Sequence, residues 1–188
     1  MTSIPAIPFE DFLLVTRALK DAADRHEPQR RKNAKSSPYI NHPITLFQIL
    51  VEIGKVTDAV VLAGALLHDT IEDTGATEAE LAAKFGAEVA ALVVEVSDDK
   101  SLPKPERKQL QIEHAAHSSF RAKLVKLADK IANLRDMVTD PPAYWPLERQ
   151  QAYFDWAAAV LEGLRGTNEA MERAFEEALT HRPVSVAA

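Results

Sequence analysis

Apolar residues recur at spacings of three and four along almost the whole chain, and this rhythm restricts the fold to packed helices. In "FEDFLLVTRALKDAADRH" the positions Phe12, Leu13, Val15, Leu19, Ala22 and Ala23 fall on one predicted helical face. Helix boundaries are written beside the rhythm. Pro43 suits the first position of "PITLFQILVEI", where a missing N–H costs nothing, and Gly54 suits its end. Thr57 is a candidate cap for "DAVVLAGALLHDTIED", with Gly75 as terminator. Thr77 and Glu80 have capping-box spacing ahead of "EAELAAKF". Further helices are predicted over "AEVAALVVEV", "PERKQLQIEHAA", "FRAKLVKLADKIANLRDM" and "PLERQQAYFDWAAAVLEGLR", and Thr167 is a candidate cap for the last one.

No alternating segment bounded by turns stands out, so a sheet is not expected. The predicted fold is all-α, one bundle-like domain of eight or nine helices over residues 1–188, with tails at 1–8 and 182–188. A hydrophobic fraction of 46% is enough for a sizeable core. Three irregular connections, "RHEPQRRKNAKSSPYINHP", "VSDDKSLPK" and "VTDPPAYWP", are long enough to carry function.

Several classes of activity are disfavoured. The net charge of −6 argues against a general nucleic-acid binder, though not against a local patch that holds one small anion. The absence of cysteine removes disulfides, thiolate catalysis and sulfur-ligated zinc. It also fits a reducing cytoplasm, the expected location. No signal-peptide pattern opens the chain, and no run reaches the about 18 apolar residues of a membrane span. A Gly-rich GxxxxGK loop is missing, which disfavours an ATP-driven reaction. No obligatory protein partner is evident.

One stretch breaks the apolar rule. "LLHDTIEDTGAT" follows the very apolar "DAVVLAGA" and places His68, Asp69, Glu72 and Asp73 within two turns. Residues four apart share a helix face, so His68 stacks on Glu72 and Asp69 on Asp73. Buried carboxylates cost several kcal/mol each unless basic side chains or a metal ion neutralise them. A second anomaly is Asp129, beside the apolar face of "LVKLADKIANL" with Asn133 one turn on, and the only acid among five basic residues from Arg121 to Arg135. His42, just before Pro43, is a further candidate. Together His42, His68, Asp69 and Asp129 make a possible four-ligand site for Mn²⁺, Fe²⁺, Zn²⁺ or Mg²⁺, leaning towards the harder ions because no sulfur is offered. Such an ion lowers the pKa of bound water, and Glu72 and Asp73 would orient or deprotonate that water. On spacing alone each residue has a plainer alternative: a chance His-Asp pair, a salt-bridge aspartate, a capping histidine.

The segments "YINHP", "GALLHDTIEDT" and "VKLADKIANLRDM" together resemble the HD-domain metal phosphohydrolases. They resemble more closely the hydrolase half of the RelA/SpoT alarmone enzymes, and above all the stand-alone small alarmone hydrolases. The likeness runs from about Ala22 to Arg165 and includes "RRK", "VSDDKSLPKPERK" and "YFDWA". The resemblance implies a helical, Mn²⁺-using hydrolase that takes the 3′-diphosphate from guanosine tetra- and pentaphosphate, leaving GDP or GTP and pyrophosphate. It implies His42, His68, Asp69 and Asp129 as metal ligands and Glu72 and Asp73 as the water-handling pair. Arg31 and Lys32 match a basic pair lining the nucleotide pocket, and Asn133 a residue facing the nucleoside. Lys104, Arg149 and Tyr153 match further pocket contacts. Lys100 and Lys104 add positive charge for an anionic substrate, and arginine can clamp a phosphate or lie on a purine.

The chain departs from the pattern at Ala132, where relatives often carry tyrosine, which puts fine substrate preference in question. Competing expectations keep the metal but change the nucleotide to NADPH or a deoxynucleoside triphosphate, or keep binding without turnover. The length leaves no room for a synthetase or regulatory domain, so hydrolysis alone is expected. His114 and His117 are expected at a helix end on the surface, although His117 could approach a pocket. His26 is expected to serve as a helix C-terminal cation, Trp145 and Trp156 as core, and Gly64 as a close-packing position.

Overall fold

Thr77 illustrates how locally the helices are set. Its side chain accepts from the Glu80 N–H at 3.2 Å while the Glu80 carboxylate accepts from the Thr77 N–H at 3.1 Å, the reciprocal box its spacing predicts. The computed structural model of the chain describes residues 8–185, so 1–7 of the first predicted tail and 186–188 of the second lie outside the described residues. Ten helices occur among them: α1 Phe9–Arg25, α2 Asn41–Glu52, α3 Ala59–Leu67, α4 Thr70–Thr74, α5 Glu78–Phe85, α6 Ala87–Val96, α7 Lys104–Ala115, α8 Phe120–Thr139, α9 Leu147–Leu164 and α10 Glu169–Thr180. No strand forms among the described residues, only the isolated bridges Arg30–Pro38 and Asn33–Pro142. The all-α expectation holds. The additional helix arises because the predicted "DAVVLAGALLHDTIED" helix is interrupted at His68–Asp69, giving α3 and α4.

α3 is apolar all round, as a helix buried on every side must be. Val61, Leu62 and Ala65 enter the larger core cluster with α2, α8, α9 and α10, and Ala63, Leu66 and Leu67 enter a second with α1, α5 and α6. The polar run that ends this helix is therefore delivered into the middle of the protein. α8, about 30 Å long at 1.5 Å per residue, lies beside it and buries Leu124, Leu127, Ala128, Ile131 and Leu134. Gly64 allows the close approach of α3 and α6: a Cβ there would stand 2.5 Å from Leu92 Cδ2.

Several boundaries differ from expectation. α2 begins at Asn41, so Pro43 is buried within its first turn and His42 is helical; the first-turn N–H groups need no helical partner, which is why proline is tolerated there. Asp58 and Asn168, each one residue after the expected threonine, provide the caps, accepting from Val60 N at 2.9 Å and Met171 N at 3.1 Å. On α1 the buried line passes through Ala18 and Ala22, leaving Phe12 and Leu19 exposed, because the helix packs on α3 and α4 through that side. Ala132 is wholly buried in the larger cluster and forms no part of the clefts described below. No described helix is long and apolar enough to cross a membrane.

Candidate metal centre and adjoining clefts

Three elements converge at the broken end of α3. Ala65 O accepts from His68 Nδ1–H at 2.8 Å, which fixes the ring and leaves Nε2 directed inward. Thr70, fully buried, donates to Leu67 O at 2.7 Å across the break and starts α4. His42, from the first turn of α2, stands with its ring centroid 5.3 Å from that of His68. Asp129 arrives from α8, its Oδ1 3.2 Å from His42 Nε2. Asp69 Oδ2 lies 2.9 Å from His68 Nε2. Donor atoms of His42, His68 and Asp69 lie within 4.8 Å of one another. Three of the four expected ligands thus form one cluster, and Asp129 adjoins it through His42.

The donor set fits a divalent cation. His68 Nε2 is buried and, although Asp69 Oδ2 approaches to 2.9 Å, makes no directed hydrogen bond, the outstanding valence a metal would satisfy. The electrostatics agree. Burial raises the Asp69 and Asp129 carboxyls, but cationic neighbours outweigh it and both are held below the usual carboxylate range: the His68 imidazole acts on Asp69, and the Lys130 ammonium with His42 on Asp129. Burial works against the His68 cation, but Asp69 reverses the balance and the imidazole is pushed up. His42 moves down, with burial dominant over Asp129.

Support around the candidate ligands comes in part from residues that sequence reasoning passed over, Tyr39 and Lys130 among them. Tyr39 donates its hydroxyl to Asp69 Oδ2. Lys130, almost fully buried, donates to Asp129 Oδ2 at 2.8 Å, and Asn133 donates to Oδ1 at 2.6 Å. His26 does cap the C-terminus of α1, but it faces the interior. It is 1% exposed, lies 4.8 Å from the Tyr39 ring and shares a 2.7 Å hydrogen bond with Gln29, whose amide reaches Asp73 O at 2.6 Å. A signal existed for Tyr39, in the quoted "YINHP"; none distinguishes Lys130 from its basic neighbours on α8.

The four candidate ligands line a pocket of about 210 Å³, and Glu72 lines it with them. Burial, with Asp69 and Asp98 nearby, pushes the Glu72 carboxyl up to about 7, although Asp98 N–H donates to it at 2.7 Å and Lys100 lies 3.7 Å away. Asp73 instead lines a wider neighbouring cleft of about 480 Å³ and is paired with Lys100. The two expected water-handling acids therefore face different compartments.

Arg31 and Asn133 belong to the wall common to both compartments, where Arg31 Nη2 donates to Asp136 Oδ2 at 2.6 Å and to Asn133 Oδ1 at 3.3 Å. Lys32 and Tyr153 line the cleft as expected. Lys104 and Arg149, expected as pocket contacts, do not line the cleft; they lie over Trp145, which does, at 5.6 Å and 4.0 Å from its ring centroid, and so stand at the rim. Trp145 packs against the edge of the larger core cluster and also forms cleft wall, a role its sequence did not suggest; the loop that carries it is fixed by Ala143 N donating to Lys32 O at 2.9 Å. Trp156 is half-buried behind Tyr153, with its ring centroid 5.2 Å away. Burial and the charges of Arg149 and Lys32 push the Lys104 ammonium down, with no compensating acid among the contributing neighbours. His114 and His117 are exposed at a third cavity of about 370 Å³ on the far side of the metal pocket.

The profile of the family described as HD domain matches residues 18–153. The guanosine-3′,5′-bis(diphosphate) 3′-pyrophosphohydrolase MESH1 of Xenopus tropicalis is 49% identical over 176 residues, covering 94% of this chain and 98% of that protein. The Homo sapiens protein of the same name is 53% identical over 165 residues, covering 88% and 92%. A solved structure described as a metazoan ortholog of SpoT that hydrolyzes ppGpp and plays a role in starvation responses superposes with a TM-score of 0.88 at 46% identity, covering 96% of this chain and 98% of that one.

Proposed function

The chain belongs to the HD-domain family, and from that premise we propose that it is a metal-dependent hydrolase that removes the 3′-diphosphate from guanosine tetra- and pentaphosphate as pyrophosphate. The observation that carries the reading is the convergence of His42, His68, Asp69 and Asp129 beside a cleft with a cationic rim. Relatives of about the same length, near 50% identity, bear this activity in their names.

The proposed ion is Mn²⁺, matched to two imidazoles and two carboxylates with no sulfur. When bound by those four residues it supplies an acidified water and neutralises phosphoryl charge. Everything else falls to side chains. Glu72, facing the metal pocket, takes the proton of the attacking water. Arg31, between the compartments, spans the ester phosphate and the nucleoside, and its planar fork suits phosphate oxygens. Asn133 holds Asp129 through its amide and turns its carbonyl to Arg31. Tyr153 and Trp145 give the nucleoside an aromatic wall. Lys32, Lys104 and Arg149 meet the 5′-phosphates at the rim. Asp73, paired with Lys100, orders the cleft end of α4.

The test is incubation of the pure protein with Mn²⁺ and guanosine 3′,5′-bis(diphosphate), with products resolved by ion-exchange chromatography. GDP and pyrophosphate are expected in equal amounts, abolished by chelator and by Asp69→Asn. Intact substrate, together with phosphate from NADPH or triphosphate from a deoxynucleoside triphosphate, would move the assignment to another nucleotide. Tight binding of the tetraphosphate without turnover would make the protein a binding module.

A further inference from the structure

Lys126 lies on α8 one turn before Asp129, and its ammonium is treated unlike that of its neighbour Lys130. Lys130 is satisfied by Asp129 at 2.8 Å. Lys126 is partly buried and only distant charges act on it: burial and Lys130 push its pKa down, against Asp98, Asp129 and Glu95. A buried amine left without a partner costs stability, and natural sequences keep such costs chiefly at functional sites.

Its position relative to the cavities gives the charge a purpose. The nucleotide cleft and the metal pocket share a wall at Arg31, Tyr39 and Asn133. On its far side the metal pocket shares Asp98, Gln111 and Lys126 with the third cavity. The three spaces thus stand in series with the metal site in the middle. The acids of the third cavity are already engaged. Asp98 accepts twice from Gln111 Nε2 at 2.8 Å, Asp99 accepts from Ser101 N at 2.9 Å, and Glu95 accepts from Ser119 N at 2.6 Å and Oγ at 2.7 Å. The cation without an ion-pair partner there is Lys126; Arg107 reaches Asp98 Oδ2 at 3.6 Å through Nη1 and keeps only its Nε buried without a partner. A compartment with its acids occupied and the Lys126 ammonium unpaired is suited to an anion.

A substrate with its nucleoside in the cleft and its 3′-ester phosphorus at the metal points any second phosphate onward, away from the nucleoside. We propose that Lys126 receives the terminal phosphate of the 3′-diphosphate, and that the third cavity is the diphosphate site through which pyrophosphate departs. The inference rests on the hydrolase reading above. In the reaction, the water oxygen bonds to the phosphorus next to the ribose and the bond from that phosphorus to O3′ breaks. O3′ ends protonated on the nucleotide, and pyrophosphate carries off the incoming oxygen. The two products then sit at opposite ends of the series, the nucleotide in the cleft and pyrophosphate beside Lys126.

The deciding variant is Lys126→Met, compared with Lys126→Arg. Two substrates are used with the Mn²⁺-loaded protein: guanosine 3′,5′-bis(diphosphate), and guanosine 5′-diphosphate 3′-monophosphate, which has no terminal 3′-phosphate. Lys126→Met is expected to lower the kcat/KM ratio of diphosphate to monophosphate about tenfold, mainly through KM, and to weaken inhibition by pyrophosphate about tenfold, each the loss of one charged hydrogen bond. Lys126→Arg should restore most of both. The melting temperature of Lys126→Met should rise, because an unpaired buried charge is removed. An unchanged ratio, or equal losses on both substrates with Arg unable to rescue, would overturn the assignment. If the wild type cleaves neither substrate, the hydrolase reading fails on its own. Calorimetric titration of inorganic pyrophosphate into the metal-loaded wild type and Lys126→Met then still decides whether the cavity binds a diphosphate: weaker binding by the variant supports the site, and equal binding rejects it.

Discussion

Lys130 brings an ammonium into the core to hold one oxygen of Asp129, while Asn133 and His42 occupy the other. Its ammonium also lies 4.6 Å from the Trp156 ring centroid. Lys130→Met keeps the volume and removes the charge, leaving Asp129 buried with only Asn133 and His42 against it. Breaking a buried ion pair costs about 3–5 kcal/mol, and loss of a residue that orients a metal ligand costs about 10–100-fold in affinity. The expected result is a large destabilisation of the metal-free protein in urea, substantially relieved when Mn²⁺ saturates the site, with weaker Mn²⁺ binding by calorimetry. Equal destabilisation with and without metal would mean that Lys130 packs rather than positions. At this scale the sequence exposes oddities better than it exposes their supports. His68, Asp69 and Asp129 stand out because polar residues end or flank apolar helix faces. Lys130 and His26 look like ordinary surface residues until the burial of their neighbours is known. Trp145 was legible as a large apolar residue but not as a cleft wall, because its loop is positioned by the pairing of residues 33 and 142, which no local rhythm encodes.

At the scale of elements, most helices were legible because capping is local. The misplaced caps are adjacent pairs, Thr57–Asp58 and Thr167–Asn168, in which both residue types cap well and only the chain path decides which oxygen reaches the N–H. The break between α3 and α4 was not legible, since "LLHDTIED" has good helical spacing throughout. Helix-to-helix distance was only partly so. Gly64 was readable as a packing glycine, whereas Gly163 was not. A Cβ at 163 would stand 2.6 Å from Ala115 Cβ and 2.7 Å from Ala116 N, so α9 touches the backbone at the end of α7. Gly163→Ala gains helix propensity on paper but must push two helices apart, and overpacking of this kind costs about 1–3 kcal/mol. A lower midpoint in urea is expected, and an unchanged or raised midpoint would show that α7 moves freely.

A second element-scale contact joins α1 to α5. Asp21 accepts from Arg25 Nε at 2.7 Å and from Lys84 Nζ at 2.5 Å. Burial raises the Asp21 carboxyl, but the bonds from Lys84 and Arg25 outweigh it and the net shift is downward from 3.8. A carboxyl held low in the folded state stabilises above its unfolded value, and that contribution disappears as pH falls through the folded one. Asp21→Asn should therefore cost about 1 kcal/mol at pH 7, and the gap from the wild type should narrow steadily below pH 4. Denaturant melts at pH 7 and pH 3.5 measure it, and a gap that is constant with pH would assign the cost to packing instead of charge.

For the molecule as a whole, charge and function are distributed differently. The chain carries a net −6, so a polyanionic substrate is repelled at long range. Close in, the field reverses. Lys104, over Trp145, and Lys108, over Tyr153 and Trp156, lie among other positive groups, each pushed down by burial and by cationic neighbours with no acid opposing. Acids elsewhere on the surface have their own partners, such as Glu88 and Asp58 on Arg121 or Asp155 on Arg182. Capture of the substrate then depends on a local positive rim on a negative body, a contrast that salt screens over about 8–10 Å. For the wild type, kcat/KM is expected to fall as ionic strength rises from about 0.05 to 0.5 M, with kcat nearly constant. Replacing Lys104 and Arg149 together by alanine should reduce kcat/KM about tenfold at low salt, raise KM rather than lower kcat, and flatten the salt dependence. Stopped-flow and steady-state rates on guanosine 3′,5′-bis(diphosphate) at a series of salt concentrations would measure this. If the double variant loses kcat instead, and keeps the slope of the wild type, the rim acts on the chemistry at the metal pocket and the capture step belongs to another surface.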